Sequence, residues 1–94
     1  MTDRLRSVEV DALLDVVVSL DDPDDMFAFL EDLLTPREIQ DLAQRFHVAQ
    51  LLDSGESYAL IQERTGASAT TIARVSKALH FGSGGYARVL RDRA

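Results

Sequence analysis

The sequence predicts an all-α domain that carries a helix-turn-helix, and two observations support this fold class. Apolar residues recur at helical spacing in about six stretches, which are separated by glycine, proline and capping residues. The stretch Ser57–Leu79 contains two short helical patterns joined at Gly66, with Ser68 placed to cap the second. Two short helices joined through a glycine form the unit whose second helix enters the DNA major groove.

Length and composition indicate one small globular domain. The chain has 94 residues and 46% hydrophobic content, and a second subunit would help to complete so small a core. It has no cysteine, and the spacing of His47 and His80 predicts no metal site. Since no apolar run is long enough to span a membrane and no apolar signal core begins the chain, we expect a cytoplasmic protein. No nucleophile, base and orienting group come together, so we expect neither an enzyme nor a cofactor.

Charge is distributed unevenly along the chain. The net charge is −6, but residues 1–41 carry −9 and residues 42–94 carry +3. Contact with phosphate depends on local rather than total charge, so a basic C-terminal part can face DNA. The simpler interpretation is that the acids only keep the N-terminal helices soluble, and both statements can hold.

The N-terminal third predicts helices that need a partner. Residues 1–7 are expected to form a loose, charged tail. The next segment, Val8–Leu20, is apolar around most of a helical circumference, which is typical of a helix buried on several sides. A second subunit would supply this cover. Because three consecutive valines lower helix propensity, a strand at Val16–Val18 is the alternative.

Start signals place the next two helices. Asp22 can cap a helix that runs over about Asp24–Leu34, and Pro23 suits its first turn. Thr35–Glu38 forms a capping box at the start of the longest helix, which ends near Asp53. The remaining predicted elements are helices at Tyr58–Arg64 and Ala69–Leu79, a glycine-rich turn at His80–Gly85, and a helix at Tyr86–Arg93. We therefore divide the single domain (1–94) into dimerisation helices (1–34), a central helix (35–56), the helix-turn-helix (57–79) and a C-terminal turn with a short helix (80–94).

The segment Thr65–Ser76, which reads TGASATTIARVS, resembles the Trp repressor superfamily and most closely its YerC/YecD-like branch. Further matches are Leu34-Thr35-Pro36, Arg45, Leu51-Leu52, Gly55-Glu56, His80-Phe81-Gly82 and Gly85-Tyr86. The resemblance implies an intertwined, all-helical homodimer that binds operator DNA. It also implies that the two N-terminal helices interlock with the other subunit, in agreement with the apolar circumference of the first helix.

The same resemblance implies a candidate effector pocket. Thr35, Arg45 and Arg74 match residues around the corepressor in the tryptophan-binding member, where a glycine occupies the position of Val75. A β-branched side chain there should crowd the indole, so tryptophan is not expected as corepressor. For the two arginines we favour ion pairs with the acidic N-terminal half, or a phosphate contact by Arg74, over a clamp for a carboxylate ligand.

The candidate DNA-binding residues share the face of the second motif helix opposite its apolar side, or lie next to that helix. Ala69 and Thr70 stand at its start, where side chains reach base edges and thymine methyl groups. Specificity with such short side chains would depend partly on water and DNA shape. The candidates are Arg64, Ser68, Ala69, Thr70, Thr71, Ala73 and Lys77, of which Arg64, Ser68, Thr71 and Lys77 are expected to contact phosphates.

These observations predict a homodimeric transcriptional regulator, a repressor, that binds palindromic operator DNA. An alternative is a protein–protein interaction module that uses the acidic N-terminal helices. A third interpretation is a DNA-binding domain like those of sigma factors or recombinases, detached from its enzyme. A helical hairpin that serves only as core would also produce the two short helical patterns.

Overall fold

The computed structural model describes the backbone of residues 2–93 and the side chains of residues 4–91. Within this range the chain forms a 3-10 turn at Thr2–Leu5 and six α-helices, with no strand. The helices are α1 (Val8–Ser19), α2 (Pro23–Leu33), α3 (Pro36–Asp53), α4 (Tyr58–Thr65), α5 (Ala69–Phe81) and α6 (Gly85–Arg93). The predicted all-α class is confirmed, and the alternative of a strand at Val16–Val18 is wrong because these valines lie inside α1.

Side-chain caps set the starts of α2 and α3 where the sequence predicts them. The Asp22 carboxylate accepts a hydrogen bond from the backbone N–H of Asp25 at 3.1 Å. Thr35 Oγ1 accepts from the N–H of Glu38 at 3.1 Å, and the Glu38 carboxylate accepts from the N–H of Thr35 at 2.9 Å. These bonds satisfy N–H groups that a helix start leaves without a partner, and the second pair is a complete capping box.

The start of the chain differs from the expected loose tail. Thr2–Leu5 forms a 3-10 turn, and residue 1 lies outside the described range. Ser7 Oγ then caps α1 by accepting from the N–H of Val10 at 3.1 Å. Arg6 forms an exposed ion pair with Asp11, with 2.8 Å between the charged atoms. Both interactions join residues that are close in sequence. Together with the 3-10 turn they order the segment that precedes the first predicted helix.

The first of two compact units, which ends at Ile39, lacks a core of its own. Neither α1 nor α2 contains a buried residue. Val8 and Val18 are 82% and 83% exposed, and Phe27 is 53% exposed. Apolar surface of this extent is unusual on a monomeric protein and is typical of an interaction surface.

The second unit, which begins at Gln40, contains the hydrophobic core. Four helices and the turn before α5 contribute its buried residues, which are Val48, Ala49, Ile61, Ala67, Ile72, Val75 and Leu90. Half-buried apolar side chains pack around them, among them Phe46, Leu79 and Tyr86. This core holds α5 by one side and leaves its other side in solvent.

No helix in residues 2–93 is long and apolar enough to cross a membrane.

Two glycines shape the junction between α5 and α6. The N–H of Gly82 donates to the carbonyl of Ala78 at 2.9 Å, so α5 continues two residues beyond the predicted end at Leu79. A Cβ atom at position 82 would clash with the carbonyl oxygen of Ala78. Gly84 has φ +89°, a left-handed conformation that glycine adopts without strain. The backbone therefore requires glycine at the first position and strongly favours it at the second.

Candidate nucleic-acid interface

The turn between α4 and α5 has the conformation that the sequence predicts for a helix-turn-helix. Gly66 ends α4 in the left-handed region, with φ +72°, and its N–H donates to the carbonyl of Gln62 at 2.9 Å. Thr65 Oγ1 donates to the carbonyl of Ile61 at 2.7 Å and accepts from the N–H of Ala67 at 3.1 Å. Ala67 is 4% exposed and joins the core, so the turn is fixed by both hydrogen bonds and packing.

A serine cap begins the recognition helix α5, as predicted. Ser68 Oγ accepts from the backbone N–H of Thr71 at 3.1 Å and donates to Thr71 Oγ1, also at 3.1 Å. A cap of this kind is worth about 1 kcal/mol. The remaining free N–H groups at this helix end are suited to bind an anion such as a phosphate oxygen.

All but one of the predicted DNA-binding residues are exposed on the second unit. Ile72 and Val75 turn inward and are 0% and 3% exposed. Thr71 is half-buried, while the other candidates, which are Arg64, Ser68, Ala69, Thr70, Ala73 and Lys77, are exposed. The exposed side of α5 therefore carries mostly small side chains and can approach the floor of a groove closely.

The cations among the predicted DNA-binding residues have no ion-pair partner in the described part of the second unit. In residues 40–91, neither Arg64 nor Lys77 takes part in an ion pair, and both side chains are exposed. Contact of an unpaired, exposed cation with a phosphate costs little free energy, because no existing ion pair must first be broken. The region is thus electrostatically available to a polyanion even though the chain as a whole is acidic.

Three of the four candidate effector residues line one cavity. Arg45, Arg74 and Val75 surround a space of about 260 Å³ together with Thr71, Ala78 and Tyr86. A cavity therefore remains beside Val75, although the valine itself is buried against the core. Thr35, the fourth candidate, belongs to the first unit, where its side chain caps α3.

The two arginines of this cavity have no ion-pair partner within residues 40–91. Both side chains are exposed, so their guanidinium groups can meet a ligand, a phosphate or a carboxylate of another chain. Their role stays a prediction. Tyr86 is a wall of the cavity that sequence reasoning missed, because its spacing on α6 indicates only a packing role.

Gln44 is a second residue that sequence reasoning missed. Its side-chain amide donates to the main-chain carbonyl of Thr65 at 3.0 Å, which connects α3 to the turn of the motif. No local pattern marks such a bond, because the two residues are 21 positions apart.

In the described part of the chain, no group of three or more histidine, aspartate or glutamate side chains is arranged to hold a metal ion.

Comparison with known proteins identifies one family. The family model described as "Trp repressor protein" matches residues 8–94. Protein YerC of Bacillus subtilis (strain 168) is 43% identical over 88 residues, which cover 94% of this chain and 85% of the relative.

Two solved structures have the same fold. The crystal structure of a proposed Trp repressor from Staphylococcus aureus has a TM-score of 0.92 and 36% identity, covering 97% of this chain and 91% of that chain. The crystal structure of a TrpR-like protein from Eubacterium eligens ATCC 27750 has a TM-score of 0.92 and 41% identity, covering 96% and 93%. Similarity of this extent covers both compact units.

Proposed function

Because the chain belongs to the Trp repressor family, we propose that it is a sequence-specific transcriptional regulator that represses by binding palindromic operator DNA as a homodimer. One observation in particular supports this function. The N-terminal end of α5 is capped by Ser68, solvent-exposed, and supported from below by the buried side chains of Ile72 and Val75. This is the arrangement that a recognition helix needs in order to present its first residues to base edges.

The chemistry of readout follows from the side chains at that end. Ala69 and Thr70 offer methyl groups for thymine, and the Thr70 hydroxyl can also exchange hydrogen bonds with a base edge. Neither residue is long enough to form a bidentate contact. Part of the specificity is therefore assigned to ordered water and to the shape of the operator.

The phosphate contacts are assigned to residues that flank this end. Arg64 and Lys77 supply positive charge that is unpaired among the described residues. Ser68 donates its hydroxyl proton to Thr71 Oγ1, so the Thr71 O–H is left to donate to a phosphate oxygen, and Ser68 can donate to one only by giving up this bond. Two cations in each protomer make about four charged contacts in a dimer, which predicts a slope of about −3.6 for log K against log salt.

The proposed homodimer is supported by the surface of the first unit. Neither α1 nor α2 has a buried residue, and the exposed apolar side chains include Val8, Leu13, Leu14, Val16, Val18, Phe27 and Leu33. A second copy that covered them would complete the core of both protomers. It would also set two recognition helices about 34 Å apart, one turn of DNA.

Selection of bound DNA from a random pool tests the proposed function. We expect a palindrome whose half-site centres lie about 10 base pairs apart, with binding that falls steeply as salt increases. An absence of DNA binding at low salt would contradict the proposal and would favour the protein–protein interaction module.

Variants at Thr70 and Lys77 should separate specific from general contacts. Thr70→Ala should weaken binding to the selected operator by about tenfold, with little effect on scrambled DNA, because it removes a base contact. Lys77→Ala should weaken binding to both sequences and reduce the dimer's salt slope by about 1.8, because it removes two phosphate contacts. Fluorescence titrations at four salt concentrations measure both quantities. Equal effects of the two variants on the two sequences would refute the assignment.

We propose no role for tryptophan as corepressor, because the family resemblance places Val75 at the position of the glycine that makes room for the indole ring. Calorimetric titration with tryptophan should therefore produce no binding heat, and saturable heat would contradict this prediction. The same titration extends to other amino acids and their precursors. If one of them binds through its carboxylate, Arg74→Gln should abolish the heat, because a neutral amide cannot replace the charged, bidentate guanidinium.

A further inference from the structure

We infer that Gln44 is a positioning residue for DNA recognition, acting through the main-chain carbonyl of Thr65 to set the orientation of α5. This inference rests on the proposed DNA-binding function. Gln44 is half-buried on α3 and is not among the predicted DNA contacts. It nonetheless reaches the turn that connects the two motif helices, with its amide nitrogen 3.0 Å from the Thr65 oxygen.

The bond acts on the last residue of α4. A helix leaves its final carbonyl groups without partners in the helix, and Thr65 carries one of them. Other polar atoms of this turn have local partners: the hydroxyl of Thr65 bonds to Ile61 and Ala67, and the N–H of Gly66 bonds to Gln62. Gln44 thus adds a hydrogen bond from outside the motif to a turn in which the Thr65 hydroxyl and the Gly66 N–H bond to local partners.

This position gives the bond a direct effect on the proposed readout. Thr70 follows Thr65 by only five residues, so a small rotation of the Thr65–Gly66 peptide displaces the first turn of α5. Base contacts tolerate displacements of only about 0.5 Å. Long, flexible side chains such as Arg64 and Lys77 can keep their phosphate contacts after a displacement that breaks a base contact. A loosened turn should therefore reduce specificity more than total affinity.

The substitution Gln44→Met tests the bond without DNA. Methionine has a similar length but no donor, and Gln50→Met is the matched control, because Gln50 is an exposed residue of the same helix. Amide hydrogen exchange at Gly66 and Ala67 should become about tenfold faster in Gln44→Met only. The Leu90 amide in α6 should keep its rate, which would exclude a loss of global stability as the cause. Unchanged exchange at the turn would overturn the inference.

The second measurement uses the operator obtained by selection. The ratio of affinities for operator and scrambled DNA should fall by about tenfold in Gln44→Met and stay unchanged in Gln50→Met. An unchanged ratio in both variants would overturn the positioning role, even if the turn loosens.

A further pair of variants distinguishes the effect of the Thr65 hydroxyl from the effect of its side-chain volume. Thr65→Ser keeps the oxygen that accepts from Ala67 and should retain the affinity ratio, whereas Thr65→Val removes this oxygen and should lower the ratio. Loss of the affinity ratio in both variants would contradict a role for the Thr65 hydroxyl in holding the turn. If the wild-type protein selects no DNA at all, the proposed function fails, while the exchange rates still decide whether Gln44 holds the turn.

Discussion

Truncation of Ile72 to alanine should lower the free energy of unfolding by about 3 kcal/mol, because it opens a cavity in the only core of the described second unit. Ile72 is 0% exposed and packs in one cluster with Ile61 and Val48, which are also 0% exposed. A small domain has a total stability of about 5–15 kcal/mol, so this loss is a large fraction. The helix that loses its support is α5, the proposed reader of DNA.

Urea denaturation at fixed protomer concentration measures this loss. Ile72→Val should cost only about 1 kcal/mol, since it removes one methyl group. Lys77→Ala, on the exposed side of the same helix, should change the stability by less than about 0.5 kcal/mol. Equal losses for Ile72→Ala and Lys77→Ala would show that α5 is not held by the core described above.

Leu14→Asp should convert the proposed dimer to a monomer and weaken operator binding by about 100-fold or more. Leu14 lies in the middle of α1, is 39% exposed, and belongs to the apolar surface assigned to the partner. A carboxylate buried there without a partner would cost several kcal/mol, which is enough to prevent association at micromolar concentration. The loss of one half-site contact would then reduce the affinity for a palindrome.

Ala12→Asp is the matched control for this experiment. It adds the same charge to the same helix, at an exposed position between Asp11 and Asp15. Sedimentation equilibrium should show a dimer for Ala12→Asp and a monomer for Leu14→Asp. A stable dimer of the Leu14 variant would place the interface elsewhere and would contradict our interpretation of α1.

Local chemistry explains why most helix boundaries were predictable. The caps at Asp22 and Ser68 and the capping box at Thr35–Glu38 all form as predicted, because each requires only residues within one turn. The left-handed Gly66 was predictable for the same reason. The end of α5 was placed too early, because Phe81 continues the helix until Gly82 interrupts it.

Features that depend on tertiary contacts were not predictable. The bond from Gln44 to Thr65 and the position of Tyr86 beside Arg45 and Arg74 join residues that are distant in sequence. A single sequence contains no periodic signal for such pairs. The apolar circumference of α1 was visible in the sequence, and the structure shows the corresponding exposed surface. The identity of its partner stays a prediction.

The small number of cationic contacts assigned to the region around α5 has a consequence for how such a regulator would search a genome. With Arg64 and Lys77 as the assigned cationic contacts and a net charge of −6 for each protomer, its attraction to arbitrary DNA should be weak. Little of the cellular pool would then be sequestered on unrelated sequence, so a modest operator affinity would suffice for occupancy. Repression would follow the protein's copy number closely.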